Sequence, residues 1–321
     1  MKKFLKTILI FIPVSIFIYL VLIFLWGSFV PQTLRKNMLA PKGLYFTYEK
    51  LEEAKKKQNL DILIVGPSLA YRAFDTRLFE QEGYNTFNLG TTSQTPIQTK
   101  YLLENYLEST NPKLVIFAVS PDVFSLDGIE SAMDIIANET NNAKLRKMMV
   151  DYNDIRLYNT WIYALCWNGL NKLGVNWSYD TFQKDFYAKL KGKDRYISGG
   201  YVEKELIFFK QIQYSNRFSW DYKKEQFEAF DECLNMIKNK SDVLLVQVPI
   251  TSSLYNNHSN NNYFDSIMNT SGTYYNYNGM IELNDSLHFY DAFHLNQKGV
   301  EAFGEEFLKL LKLEYPLLNS K

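Results

Sequence analysis

Asp61-Ile-Leu-Ile-Val-Gly-Pro-Ser68 is an unbroken aliphatic run that ends in a glycine, a proline and a serine. Aliphatic residues in succession, without polar alternation, read as a strand buried on both faces, which parallel sheets supply and half-solvated antiparallel sheets do not. Gly66 permits a sharp turn straight after such a strand. Working outward, Lys113-Leu-Val-Ile-Phe-Ala-Val119 and Asp242-Val-Leu-Leu-Val-Gln-Val248 repeat the pattern, and Tyr84-Asn-Thr-Phe-Asn-Leu89 ending in Gly90 is a weaker version of it. Helical segments lie between them: one through Leu78 and Phe79, one from about Pro96 to Leu107 with proline suited to its first turn, and one from about Lys223 to Asn239. Strand and helix in alternation with short connections indicate an α/β domain built on a doubly wound, mostly parallel sheet.

The pattern breaks between about Ser125 and Asp221, where aromatic and polar stretches such as Tyr158-Asn-Thr-Trp-Ile-Tyr-Ala-Leu-Cys-Trp167 replace strands, and a largely helical insertion is expected. Residues 256–278 are rich in Asn, Ser and Tyr and read as a loop or lid. A short strand near Met280-Ile-Glu-Leu283 and a helix from Gln297 to about Leu310 complete the domain.

Before the domain, Thr7 to Phe29 carries no charge, and the next charged residue is Arg35. At ~1.5 Å per residue this stretch reaches about 35 Å, enough for a hydrocarbon layer of about 30 Å. Lys2, Lys3 and Lys6 precede it and Trp26 and Phe29 lie near its far end, which orients the N-terminus to the cytoplasm and everything after it outside. A cleaved signal peptide is the competing reading. It is disfavoured because the run exceeds an ordinary signal core and no small-x-small site follows. The expected division is a tip and anchor over 1–30, a stalk over 31–59 that carries the solvated charged run Lys50 to Lys57, and an α/β domain over 60–321 with its insertion at about 125–221.

Lys+Arg and Asp+Glu number 35 each, so no net field draws a polyanion, and nucleic acid is not an expected partner. Cys166 and Cys233 lie far apart in apolar or helical surroundings and fit neither a metal motif nor a disulfide framework.

Ligands of open parallel sheets bind beyond the carboxyl ends of the strands, so residues just after strands come first. Ser68 follows the first strand, placed as a nucleophile near backbone N–H groups or, in the alternative, as a helix N-cap. Asp291-Ala-Phe-His294 precedes the last helix, and its spacing lets the carboxylate hold Nδ1 while Nε2 acts as a base. Asp285-Ser-Leu-His288 has the same spacing. His294 is preferred because it lies directly before the helix, whereas His288 sits in an aromatic run, and His258 reads as an exposed loop residue.

These blocks, in this order, resemble the SGNH/GDSL hydrolase superfamily over about residues 61 to 312. Ile64-Val-Gly-Pro-Ser68 is similar to its nucleophile block, Asn88-Leu-Gly90 to its second block, and Phe289-Tyr-Asp-Ala-Phe-His-Leu-Asn296 to its Asp/His block. The resemblance implies a flavodoxin-like three-layer α/β/α sandwich, with Ser68, Asp291 and His294 catalytic. It also implies an oxyanion hole from the N–H groups of Ser68 and Gly90. The third block departs from the family: Ala118-Val-Ser-Pro-Asp122 has no Asn, leaving Ser120, Asn88 or Thr91 as substitute donors.

With its N-terminal anchor, the chain looks most like the bacterial cell-envelope branch, which includes lipoteichoic-acid D-alanyl transfer and polysaccharide O-acetylation proteins. By that resemblance it is a serine-dependent esterase or O-acyltransferase on an O-acylated envelope glycan or related substrate, working through a Ser68 acyl-enzyme. A membrane-bound O-acyltransferase would be its partner, and no metal or organic cofactor is implied. The alternative is a non-catalytic protein of the same fold that holds a glycan or a membrane partner.

Overall fold

The structure is a computed structural model that describes residues 1–32, 34–42, 45–175, 192, 194–210 and 212–319. The chain divides into two compact units, residues 1–45 with 132–192 and residues 46–131 with 193–321.

In the first unit, among the described residues, one helix, Lys2–Phe29, is long and apolar enough to cross a membrane, with a mean hydropathy of 3.1. Its side chains are mostly exposed, as they are on a helix with no core of its own to enter. The helix Ile155–Lys172 packs along its second half. There the Tyr19 hydroxyl donates to Asn159 Oδ1 at 2.6 Å, and the Tyr163 ring lies so close to Gly27 that a Cβ there would come within 2.4 Å of it. The part of the expected helical insertion at 176–191 lies outside the described residues.

Among its described residues the second unit has seven strands: β1 (Ile62–Val65), β2 (Thr86–Asn88), β3 (Leu114–Val119), β4 (Arg195–Ile197), β5 (Tyr201–Glu203), β6 (Asp242–Gln247) and β7 (Tyr274–Asn276). Five of them form a wholly parallel sheet in the order β2-β1-β3-β6-β7, the flavodoxin-like arrangement, in which the order reverses at β1. Every residue of β1 and β3 is buried, as their unbroken aliphatic runs require. Alternate side chains face opposite layers. Ile62, Ile64, Leu114, Ile116, Leu244 and Val246 join a core that includes Phe74 and the stripe Val300, Phe303, Phe307 and Leu311 of the terminal helix Gln297–Glu314. Phe117, of the opposite parity, meets Phe230 of the helix Lys224–Lys238 edge-on, with ring centroids 5.2 Å apart. That helix packs against the helix Pro96–Thr110, so helices cover both faces of the sheet.

Several expectations need correction. The antiparallel hairpin β4–β5 occupies part of the stretch expected to be helical. At its tip Gly200, with φ of +92°, lies where a Cβ would come within 2.0 Å of Asn88 O, so only glycine lets the hairpin press against β2. The helix Thr47–Ala54 is not a solvated stalk element: Thr47, Lys50, Leu51 and Ala54 are buried, and Glu53 accepts from the Ser198 hydroxyl and the Gly199 N–H at 2.9 Å each. Residues 256–278 contain the helix Asn261–Ser271, which buries Phe264 and Met268 one turn apart, and the edge strand β7. Because β7 takes the edge of the sheet, the strand expected at Met280 to Leu283 does not form. Cys166 and Cys233 are both free.

Candidate active site

Gly66 fixes the start of the site. Its φ is +138°, and a Cβ on it would lie 2.4 Å from Ala118 O, so β1 and β3 approach here to a distance that no side chain allows. The chain turns, Pro67 takes the cap position, and Ser68 becomes the first residue of the short helix Ser68–Ala73. The N-cap alternative for Ser68 therefore does not hold. Its Oγ lies 2.8 Å from His294 Nε2.

His294 comes from the turn between Phe289 and Leu295, which form an isolated antiparallel bridge. Tyr290 N–H donates to His294 O at 3.0 Å across this turn. Asn296 pins its base, with Nδ2 donating to Leu287 O at 2.9 Å while Oδ1 accepts from Gly299 N–H at 3.2 Å. The Asp291 carboxylate lies 2.9 Å (Oδ2) and 3.0 Å (Oδ1) from His294 Nδ1, and Oδ1 accepts the N–H groups of Phe293 and His294 at 2.8 Å each. Burial opposes the ionised form of Asp291, but the hydrogen bonds from the His294 ring and these two N–H groups outweigh it and hold the carboxyl below its usual range. An ionised Asp291 assigns the ring proton to Nδ1, which leaves the Nε2 lone pair for the Ser68 hydroxyl proton.

Tyr290 stacks on the imidazole with centroids 5.4 Å apart and planes 5° from parallel. Lys204 and Arg72 lie 5.6 Å and 6.0 Å from the Tyr290 centroid, and both pair with Asp194, at 2.9 Å and 2.5 Å. Burial pushes the Tyr290 phenol well above its usual value.

The other histidines are committed elsewhere. Asp285 accepts from Ser252 N–H at 2.7 Å and Ser253 N–H at 3.0 Å, and His288 Nδ1 accepts from Asn284 N–H at 2.8 Å, so this pair does not form a relay. His258 is not an exposed loop residue: it is 7% exposed, packed edge-on against Phe218 and Trp220 with centroids 4.4 Å and 5.1 Å away. Burial lowers its pKa, because a charged ring there would lose its hydration.

The expected oxyanion donors fare differently. No acceptor engages the Ser68 N–H among the described residues. Gly90 N–H, however, donates to Asn88 Oδ1 at 3.0 Å, and Asn88 Nδ2 donates to Ala70 O at 2.9 Å, which locks that amide in place. Thr91 gives both its N–H and its hydroxyl to Gln94 Oε1, at 2.8 Å and 3.0 Å, and Ser120 Oγ donates to Asp122 Oδ1. Sequence reasoning passed over three residues here. Asp122 follows β3 closely enough to meet the strand-end criterion, and Tyr290 lies within the stretch Phe289 to Asn296. Lys50 carried no signal, since a lysine in a charged run reads as solvated. It is 2% exposed, donates to Gly90 O, and sits 4.3 Å from the centroid of the Tyr71 ring.

No family model and no curated protein matches the chain. Among solved structures, it is similar to one presented as an acylhydrolase of Bacteroides fragilis, with 10% identity, a TM-score of 0.40, and coverage of 83% of this chain and 94% of that one. It is also similar to a GDSL-like lipase of Bacteroides thetaiotaomicron, with 12% identity, a TM-score of 0.41, and coverage of 84% and 99%. Likeness at this level carries no inference about activity, which rests on the side-chain geometry alone.

Proposed function

We propose that the chain is a serine-dependent esterase or O-acyltransferase held at the cell membrane by its N-terminal helix, with the α/β domain outside the cytoplasm. The observation that carries the reading is the continuous line of contacts from Ser68 Oγ through the His294 ring to Asp291. Ser68 attacks an acyl carbonyl and passes its proton to Nε2. Asp291 stabilises the imidazolium, the tetrahedral intermediate expels the alcohol with that proton, and water or a glycan hydroxyl then takes the acyl group from Ser68. An O-acylated envelope glycan, supplied or received through a membrane-bound O-acyltransferase, is the substrate class that fits an anchored domain of this kind.

A fluorophosphonate probe applied to the full chain in native membranes should label Ser68 and fail to label Ser68→Ala. No labelling under conditions that label a control serine hydrolase would overturn the reading. The engagement of Gly90 N–H by Asn88 favours the rival, a non-catalytic holder of a glycan or membrane partner, for which Ser68→Ala leaves cellular function intact. For topology, a C-terminal tag should be digested by protease added to spheroplasts. A protected tag would place the domain on the other side.

A further inference from the structure

In acyl transfer the histidine acts twice, once to take the proton of Ser68 and once to take the proton of the acceptor that removes the acyl group. The contacts that aim it differ between the two steps. In the free enzyme the imidazole is held at both nitrogens, Nε2 by Ser68 Oγ at 2.8 Å and Nδ1 by the Asp291 carboxylate at 2.9 and 3.0 Å. Once Ser68 is acylated its Oγ has no proton to donate, and the hydrogen bond to Nε2 ends. One end of the ring is then untied, and a hydrogen bond at Nδ1 alone leaves the plane of the imidazole free to tilt.

The Tyr290 ring restrains that plane. It lies 5.4 Å from the imidazole, centroid to centroid, with planes 5° from parallel, the offset stack that aromatic pairs favour. Tyr290 is held in turn by two cations from other elements. The Arg72 guanidinium, one turn beyond Ser68 on its helix, lies 6.0 Å from the Tyr290 centroid, and the Lys204 ammonium, just after β5, lies 5.6 Å from it. Asp194 pairs with both, with Arg72 at 2.5 Å and Lys204 at 2.9 Å, and Arg72 Nη1 also donates to Val202 O at 3.3 Å. The hydrogen bonds that close the turn use the Tyr290 N–H and the Asn296 amide, not the Tyr290 ring, so ring and turn can be separated by mutation.

We propose that Tyr290 is a positioning residue for His294 whose effect falls on the second half of the reaction, when the acyl group leaves Ser68. This inference rests on the hydrolase reading above. In that step the oxygen of water or an alcohol bonds to the acyl carbon and gives its proton to Nε2. The tetrahedral intermediate then collapses, the bond from the acyl carbon to Ser68 Oγ breaks, and the proton passes from Nε2 to Oγ. Nε2 has to face the incoming oxygen before any of this begins, and the Tyr290 stack together with Asp291 holds it there without help from Ser68.

The experiment uses the full chain with p-nitrophenyl acetate, whose good leaving group makes deacylation the slow step, so that kcat reports the second half of the reaction and kcat/KM the first. Tyr290→Leu and Tyr290→Gln remove the ring, and Tyr290→Phe keeps it. In a ringless variant whose thermal unfolding matches wild type, kcat and KM should fall together by about 2–10-fold, the worth of one stacked pair, while kcat/KM and the rate of fluorophosphonate labelling stay within about twofold. Tyr290→Phe should behave as wild type. A ringless variant with wild-type kcat would overturn the proposal. So would one that loses kcat/KM or labelling as much as kcat, or two ringless variants that both unfold far below wild type, because the ring would then serve the fold of the site and not the second step. Tyr290→Phe as slow as Tyr290→Leu would overturn it as well, since the hydroxyl and not the ring would matter. Wild type that is not labelled at Ser68 overturns the hydrolase reading and this inference together, whereas labelling and turnover that ignore Tyr290 overturn this inference alone.

Discussion

Replacing Asp291 with asparagine tests the relay with little change of shape. The Asp291 carboxylate has four contacts: two with His294 Nδ1 at 2.9 and 3.0 Å, and two with backbone N–H groups at 2.8 Å. In Asp291→Asn the amide oxygen can keep the backbone N–H groups, so the turn holds and stability falls by no more than about 1–2 kcal/mol, the scale of a weakened hydrogen bond. The amide nitrogen then faces Nδ1 and offers a hydrogen, which forces Nδ1 to accept and moves the ring proton to Nε2. A protonated Nε2 cannot take the proton of Ser68, 2.8 Å away. The same replacement in a Ser-His-Asp enzyme lowers kcat roughly 10⁴-fold, about 5.4 kcal/mol of transition-state stabilisation. The assay is kcat for p-nitrophenyl acetate alongside thermal unfolding of the same preparation, with fluorophosphonate labelling as a second readout. A variant that unfolds like wild type and keeps its kcat within about tenfold would refute the relay, because the 2.9 Å contact would then be structural only.

Other outcomes follow from neighbouring features. Gly66→Ala should cost about 2–5 kcal/mol, from a left-handed backbone that alanine disfavours together with overpacking against Ala118 O, read as a lowered Tm; an unchanged Tm would mean the strand ends can separate freely. At Asp285 the two N–H groups and the hydroxyl of Ser252 and Ser253 outweigh burial and hold the carboxyl below its usual value. Its contribution to stability is therefore present above the unfolded value of about 3.9 and is lost as pH falls through the folded one. Urea midpoints measured down the acid range should fall less steeply in Asp285→Asn than in wild type, and parallel curves would contradict the assignment.

What could be read in advance follows from how local each signal is. β1, β3 and β6 are legible because a strand buried on both faces has little choice but to be aliphatic, and the nearness of Asp291 to His294 is legible because three residues of spacing already bring them together. That Ser68 meets His294, 226 positions away, follows from the strand-end rule and not from either motif. β7 was missed because Tyr274 and Asn276 look like loop residues. They serve at a sheet edge since the Tyr274 hydroxyl lies 2.6 Å from both Asp265 Oδ1, to which it donates, and Gln247 Oε1, and Asn276 Nδ2 donates to Asp265 at 3.0 Å. His258 was misread for the opposite reason: its neighbours in sequence are polar, and the rings that bury it, Phe218 and Trp220, come from another segment. The commitment of Gly90 N–H to Asn88 depends on a side-chain rotamer, which no pattern of residue types encodes.

The burial of the helix Thr47–Ala54 bears on where this protein can be cut. A soluble fragment that begins at residue 60, the end of the expected stalk, would lack Leu51 and Ala54, which are 1% and 0% exposed, and would leave Gly90 O without the ammonium of Lys50. It would also strip the Glu53 carboxylate from Tyr196, Ser198 and Gly199, and with it one anchor of the hairpin that lies against β2. Such a fragment would keep every residue of the proposed relay and still start from a damaged scaffold. Released forms that retain the chain from about residue 46 are the ones in which an inactive result would speak about chemistry and not about a missing wall.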